Sequence, residues 1–149
     1  MKAISVLQPH ASLIAIGAKG LETRSWSTPY RGPLAIHASK RLEGEQGKLC
    51  IREPFFSVLT EAGFKVGWYV VDPERVYAKL PTGVIIATCN LVDCIKMTPE
   101  FINKVQRPEL DFGKYVIGHY AWVLEDVKQL EFPVPAKGKL RIWEWEVQL

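Results

Sequence analysis

The alternation of apolar and polar residues along the chain predicts a fold built mainly from strands. Residues 2–7 form a short apolar run typical of a buried strand. Residues 31–40 alternate regularly, so that Leu34 and its alternate neighbours would face a core. The opposite face carries His37 between small residues, and this small polar face favours a lined cleft over bulk solvent.

Further strands and three helices follow from the same patterns. The predicted strands cover residues 22–26, 83–96, 118–125 and 140–147, and the predicted helices run from Pro9 to about Ala18, from Pro54 to Ala62 and from Thr98 to about Val105. Trp143 and Trp145 alternate on the last strand, which indicates packing residues. This order does not match regularly alternating βαβ units, so it predicts a mixed α+β barrel with flanking helices.

Residues 41–82 fit the barrel pattern less well. Charged residues lead into the predicted second helix, and a link through Asp72 and Pro73 follows. About 40 residues cannot bury a core alone. We therefore expect a single domain over residues 1–149, with an insertion at about 41–82 packed onto it.

Length and composition narrow the class of protein. The chain has 149 residues, 48% of them hydrophobic and 23% charged, which fits one globular domain and excludes general disorder. No apolar run approaches the ~20 residues of a membrane helix, so no membrane partner is expected. Gln8, Pro9 and His10 interrupt the first apolar stretch, which does not resemble a signal peptide. The expected location is the cytoplasm.

The three cysteines indicate reduced thiols rather than a disulfide framework. Cys89 and Cys94 lie in one predicted strand, ~16 Å apart on opposite faces, too far to bond to each other. No Cys or His spacing resembles a zinc site, so no metal is expected. No glycine-rich phosphate loop follows a strand, so a dinucleotide or ATP site is disfavoured and no cofactor is expected.

Positive charge is concentrated in one segment. The chain carries +3, whereas Lys19 to Arg41 hold five basic residues and one acid, a local +4. A phosphate-binding face needs such an excess, although a solvated basic loop would show it too. Within this segment, Glu22 and Arg24 point to the same face of an extended stretch close to Lys19. These three side chains form either a surface ion pair or a preorganised site for a phosphate or a base edge.

Several motifs together resemble the ASCH (activating signal cointegrator homology) family. They are QPHASL at 8–13, GAKGLETRSW at 17–26, YRGP at 30–33, IHAS at 36–39 and YAWVL at 120–124. The likeness covers nearly the whole chain apart from residues 41–82, and the G-x-K-x-x-E-x-R element is the family's signature. The resemblance implies a PUA-like β-barrel with a cleft beside the first helix, suited to RNA, another nucleic acid, or a nucleotide or nucleoside.

Lys19, Glu22 and Arg24 match this signature, so the resemblance implies them as site residues, whereas the other candidates come from the residue types and their positions in the sequence. Lys19 and Glu22 would line the cleft. Trp26 and Tyr30 could stack a base or serve core packing and turn structure, and His37 could face the cleft or be a hydrogen-bonded residue of the barrel. The expected phosphate contacts are Arg24, Arg31, Lys40 and Arg41. His10 departs from the family pattern, in which Trp or Tyr is commoner after Gln-Pro.

Two alternatives to a binding domain stay open. Part of the family hydrolyses an acetylated cytidine with a Lys, a Thr and a Glu, and Lys19 matches that lysine, but Glu22 occupies the threonine's position. An enzyme acting on RNA or a modified nucleoside could instead use Lys19 to stabilise an oxyanion or phosphorane while Glu22 moves a proton. A protein-interaction module is the third possibility, with an apolar patch of Phe55, Phe56, Trp68 and Tyr69.

Overall fold

The computed structural model describes residues 1–42, 44–69, 71–72 and 75–147. Six strands form the main sheet: β1 (Lys2–Val6), β2 (Leu21–Arg24), β3 (Gly32–Ala38), β6 (Val84–Lys96), β7 (Tyr120–Pro135) and β8 (Ile142–Glu144). Their order in the sheet is β2-β7-β6-β3-β1-β8, and of these neighbours only β1 and β3 run parallel. A separate antiparallel pair joins β4 (Val66–Trp68) to β5 (Val76–Ala78).

Short helices flank this sheet, which curls into a half-barrel. They are α1 (His10–Ala15), α2 (Glu45–Leu49), α3 (Phe55–Glu61), α4 (Pro99–Lys104) and a 3-10 helix (Glu109–Phe112). The Thr98 hydroxyl caps α4 by accepting a hydrogen bond from the Phe101 amide, as the sequence predicts. The predicted fold class, an α+β PUA-like barrel with flanking helices, is confirmed.

The main core lies between α1 and one face of the main sheet. Ile4, Leu34 and Ile36 contribute from neighbouring strands, Ile14 contributes from α1, and Trp122 closes the cluster from β7 with no exposed surface. Removal of this apolar surface from water is the main stabilising contribution to the fold. It also fixes α1, and therefore the loop that follows α1, against the sheet.

The opposite face of β3 was expected to line a cleft. In the structure, part of this face is instead buried. Ala35 is fully buried in a second cluster with Trp143 and Trp145, because the C-terminal residues fold back over this face. His37 is also buried, at 2% exposure. The prediction that the two tryptophans are packing residues is confirmed.

Described residues of the 41–82 block share a third cluster with the rest of the chain. Leu59 and Val66 pack with Leu13 of α1 and with Phe112 of the 3-10 helix. Phe55 is buried in the same cluster, so the predicted exposed apolar patch is wrong at that position. Trp68 and Tyr69, which also belong to the predicted patch, are exposed. Val71 and several large apolar side chains elsewhere in the chain are exposed as well. The assignment of this block as an insertion stays a prediction, and Pro73 of the predicted link lies outside the described residues.

Several element boundaries differ from the predicted ones. β7 continues to Pro135 rather than ending at Glu125, because it pairs along most of β6 through three register shifts. α1 ends at Ala15, and Gly17 then takes a positive φ of 80°, a conformation that glycine adopts without strain. The sequence patterns did not predict α2 or the β4–β5 pair.

The described residues were searched for helices that could span a membrane, for disulfides and for metal sites. None of its helices has the length and apolar character needed to cross a membrane. Cys50, Cys89 and Cys94 are free thiols. Within the same residues, no group of three His, Cys, Asp or Glu side chains could hold a metal ion.

Candidate functional site

The candidate site lies where the two ends of the curled sheet approach each other. β8 pairs with β1 at Lys2, Ala3 and Ile4. At the next residue of β1, the Ser5 carbonyl accepts a hydrogen bond of 2.8 Å from Nη2 of Arg24 on β2. Arg24 therefore links the first strand to the opposite edge strand of the sheet. We call this junction the seam.

The predicted Lys19, Glu22 and Arg24 converge at the seam. Nζ of Lys19 lies 3.1 Å from Oε1 of Glu22 and also donates to the Leu21 carbonyl. Nε and Nη2 of Arg24 donate to Oε2 of Glu22 at 3.1 and 2.9 Å. Both carboxylate oxygens are therefore engaged by cations. The side chain of Lys19 is 1% exposed and that of Glu22 is 10% exposed, whereas 22% of the Arg24 side chain is exposed.

The electrostatics of this network fix the charge of Glu22. Burial alone raises the pKa of a carboxyl group, but Lys19 and Arg24, with a smaller contribution from His10, lower the pKa of Glu22 to about 2. Glu22 is therefore ionised at neutral pH. So weak a base accepts a proton poorly, and Glu22 is suited to orient cations rather than to move protons.

A cleft of about 270 Å³ opens beside this network. Its lining residues come from β1 and the start of α1, from β2, and from the loop after the 3-10 helix: Ser5, Val6, Leu7, His10, Glu22, Thr23, Arg24, Phe112, Gly113 and Lys114. Lys19 is absent from this lining, because it lies behind Glu22. The expectation that Lys19 lines the cleft is therefore wrong, whereas Glu22 and Arg24 do line it.

His10 forms part of an aromatic wall of the cleft. Its ring packs edge-on against Phe55 of α3 with centroids 5.8 Å apart, and Phe55 packs in turn against Phe112 at 5.1 Å. Burial and the nearby Lys19 lower the pKa of His10, with Glu22 partly opposing them, so the imidazole is neutral at neutral pH. Nδ1 of His10 has no hydrogen-bond partner among the described residues.

The loop after the 3-10 helix supplies a cation that the sequence patterns did not predict. The Glu109 carboxylate accepts hydrogen bonds from the Gly20 and Leu21 amides at 3.0 and 2.8 Å, which holds the 3-10 helix on β2. The Thr23 hydroxyl accepts another from the Lys114 amide at 3.1 Å. These contacts place the exposed Lys114 at the cleft. About 90 residues separate the partners, so no local pattern indicated them.

Three other predicted residues lie together in a second depression. His37, Lys40 and Arg41 line a groove of about 430 Å³ with Lys137 and Lys139. His37 is part of its floor, because its ring nitrogens contact the Ser5 hydroxyl at 3.0 Å and the Ala136 carbonyl at 2.8 Å.

Trp26, Tyr30 and Arg31 lie outside both depressions. Trp26 is half-buried and packs edge-on against Trp122 with centroids 4.8 Å apart. The Tyr30 hydroxyl donates to the Pro33 carbonyl, and Arg31 donates to the Thr28 and Tyr30 carbonyls at 2.8 Å each. These three side chains therefore have partners within the chain, and their predicted contacts with nucleic acid stay predictions.

Comparison with known proteins gives the family. Residues 4–134 match the ASCH domain. The chain is 27% identical over 146 residues to "Activating signal cointegrator 1" of Homo sapiens and 25% identical over the same length to the Mus musculus protein of that name. Each alignment covers 98% of this chain but 22% of the relative, so the chain spans about a fifth of the length of these curated relatives. Because the family match covers most of the sequence, the chain belongs to the ASCH domain family.

Proposed function

We propose that this domain binds RNA and that the cleft at the seam receives one nucleoside unit of the strand. The observation that carries the proposal is that the Arg24 guanidinium is held in place by other residues on one side only. Its Nε and Nη2 are held by Glu22 and Ser5, while Nη1 has no partner among the described residues. The side chain lines the cleft and is partly exposed.

A guanidinium held in this way is a prepared ligand for RNA. Its long side chain is already ordered, so binding costs less side-chain entropy than binding to a free arginine. Its remaining donors suit a phosphate oxygen or the acceptor edge of a base. Glu22 contributes by fixing the direction of these donors, and Lys19 contributes by keeping Glu22 ionised.

The surroundings of Arg24 support a nucleoside rather than a small anion alone. Lys114 adds a second accessible cation at the cleft. His10, which is half-buried, provides a flat ring of the kind on which proteins stack unpaired bases, and the fully buried Phe112 lies in the core behind the cleft. Membership of the ASCH family agrees with a nucleic-acid ligand, and RNA is the proposed one because its single strands expose their bases.

The test measures binding of a fluorescent single-stranded RNA of about 12 nucleotides, a typical length for small binding domains. Arg24→Gln should weaken binding by roughly 10- to 100-fold, which corresponds to one charge-assisted hydrogen-bond group. Arg52→Gln is the matched control, since that arginine is 59% exposed and lies outside the cleft. Absence of binding at about 50 mM salt, or equal losses in both variants, would refute the proposal.

The alternative of an enzyme with Lys19 and Glu22 as catalytic residues receives less support. Lys19 is enclosed, and Glu22 is a weak base with both oxygens engaged. Incubation with RNA and with acetylated cytidine, followed by mass spectrometry, should therefore give no product. Turnover that Lys19→Met abolishes while RNA binding persists would instead establish the enzyme.

A further inference from the structure

We infer that the groove beside the cleft binds the phosphodiester backbone of the same strand whose nucleoside occupies the cleft. This basic groove is defined by four cations, Lys40, Arg41, Lys137 and Lys139. The inference rests on the proposed RNA binding and adds a second, separately testable contact. Lys40 and Arg41 were expected to meet phosphates, and in the structure they line one groove together with Lys137 and Lys139.

The basic groove is built by a close approach of the chain to β1 and β3. Parallel pairing sets Ser5 beside His37, and these side chains contact each other at 3.0 Å. The segment after β7 lies on this pair, held by the contact of His37 with the Ala136 carbonyl. A Cβ atom on Gly138 would lie 2.7 Å from both the His37 ring and the Ser5 hydroxyl. Only glycine allows the segment to lie this close.

This seating brings two lysines of the segment after β7 into the same groove as two cations of the segment after β3. Lys137 and Lys139 flank Gly138, and Lys40 and Arg41 follow directly after β3. All four are exposed. Among the described residues, none of the four forms an ion pair, and no Asp or Glu lines the basic groove.

Several cations elsewhere on the surface are paired with acids, whereas others, such as Lys96 and Lys104, form no ion pair among the described residues. Lys2, Lys48, Arg52 and Arg107 each have a carboxylate within 4.0 Å. In the basic groove, four like charges stand together with no acid beside them in the part of the chain that the structure describes, and this is unfavourable in the free protein. A polyanion relieves this repulsion and releases its own counterions, and both effects favour binding of a phosphate backbone.

The basic groove adjoins the cleft, so a single RNA strand can occupy both. Ser5 lines both depressions: its carbonyl accepts from Arg24 on the cleft side, while its hydroxyl contacts His37 on the groove side. A strand that leaves the cleft therefore crosses a single residue to enter the basic groove. His37 supports the floor, since both of its ring nitrogens already have partners.

The experiment measures how RNA affinity depends on salt. For single strands, log K falls with log salt by about 0.7 for each phosphate neutralised. Lys137→Gln/Lys139→Gln removes two cations of the basic groove, so the slope should become shallower by about 1.4 between about 50 and about 200 mM salt. Affinity at the lower salt should also fall by at least roughly tenfold. The matched control, Lys96→Gln/Lys104→Gln, removes two exposed lysines outside the basic groove and should leave the slope unchanged.

The possible outcomes separate this inference from the proposed function. No binding by the unmodified protein refutes RNA binding itself. Binding that requires Arg24 but keeps its slope in the Lys137→Gln/Lys139→Gln variant overturns the basic groove and leaves the cleft proposal intact. An equal change in the control pair also overturns it, because the effect would then come from net charge. Circular dichroism checks that each variant is folded, which is expected for exposed lysines.

Discussion

Neutralising Glu22 is the sharpest test of the buried charge network. Glu22→Gln keeps the shape of the side chain but removes the charge that faces Lys19, whose exposure is 1%. The Lys19 ammonium would then face only neutral oxygens among its described partners, including that of the Leu21 carbonyl. A buried cation without a counter-charge is costly, so the variant should be strongly destabilised.

Two independent routes give the size of this effect. Loss of one member of a buried ion pair costs about 3–5 kcal/mol. The pKa of Glu22 falls from its ordinary 4.5 to about 2, and at 1.36 kcal/mol per unit this represents roughly 3 kcal/mol in favour of the charged form. We therefore expect Glu22→Gln to lower the free energy of unfolding by about 3 kcal/mol. For a domain of this size the melting temperature should fall by roughly 10 °C.

A double substitution tests whether the instability of Glu22→Gln comes from the unpaired buried charge or from lost contacts. Lys19→Met/Glu22→Gln removes both charges and leaves an apolar side chain of similar length in the enclosed position. Arg24, which is 22% exposed, can then turn toward water. The double variant should therefore be more stable than Glu22→Gln alone, as replacement of buried ion pairs by neutral residues often is.

Urea unfolding followed by tryptophan fluorescence measures all three proteins, since the chain has five tryptophans. The m-values should agree, so that shifts in midpoint report stability. A loss below about 1 kcal/mol in Glu22→Gln, or a double variant less stable than Glu22→Gln, would refute the reasoning, because an unpaired buried ammonium could not then be the dominant cost.

Three further predictions concern pH, packing and thiols. Because the pKa of Glu22 is lower in the folded protein than in the unfolded chain, the stabilisation from its charge is complete above about pH 4.5 and is lost as the pH falls toward 2. The difference in free energy of unfolding between the unmodified protein and Glu22→Gln should therefore shrink over that pH range, as measured by urea titration. Gly138→Ala should cost about 1–3 kcal/mol in thermal unfolding, whereas Gly20→Ala, with no atom within 4 Å of its Cβ, should cost little. Burial raises the pKa of Cys89 to about 12, so an alkylating reagent at neutral pH should modify the half-buried Cys94 first, as seen by mass spectrometry.

The sequence predicts the elements whose signals are local. The apolar runs of β1 and β6 and the periodicity of α3 identify those elements to within a few residues. Thr98 marks the start of α4, because a capping hydroxyl acts on an amide three residues away. The convergence of Glu22 and Arg24 was also predictable, since alternate residues of a strand share a face.

The remaining features depend on contacts between distant parts of the chain. Nothing near Ala35 indicates that Trp143 and Trp145 will cover it, because β8 is positioned by pairing with β1. Lys114 reaches the cleft through a hydrogen bond to Thr23, 91 positions away in the sequence. The basic groove likewise requires the segment around Gly138 to return to β3. Periodicity carries no information about such long-range pairings.

Lys19 shows why charge density in a sequence differs from charge available to a ligand. The segment from Lys19 to Arg41 is the most basic stretch, yet Lys19 is enclosed by Glu22, and Arg31 donates to backbone carbonyls of its own turn. Lys137, by contrast, lies far from that stretch and is exposed. The G-x-K-x-x-E-x-R element acts first on the fold: it fixes the carboxylate that aligns Arg24 across the seam. Among the charged members of this element, Arg24 both joins two strands and offers the cleft a donor that has no partner among the described residues, so its loss should affect binding more directly than loss of Lys19.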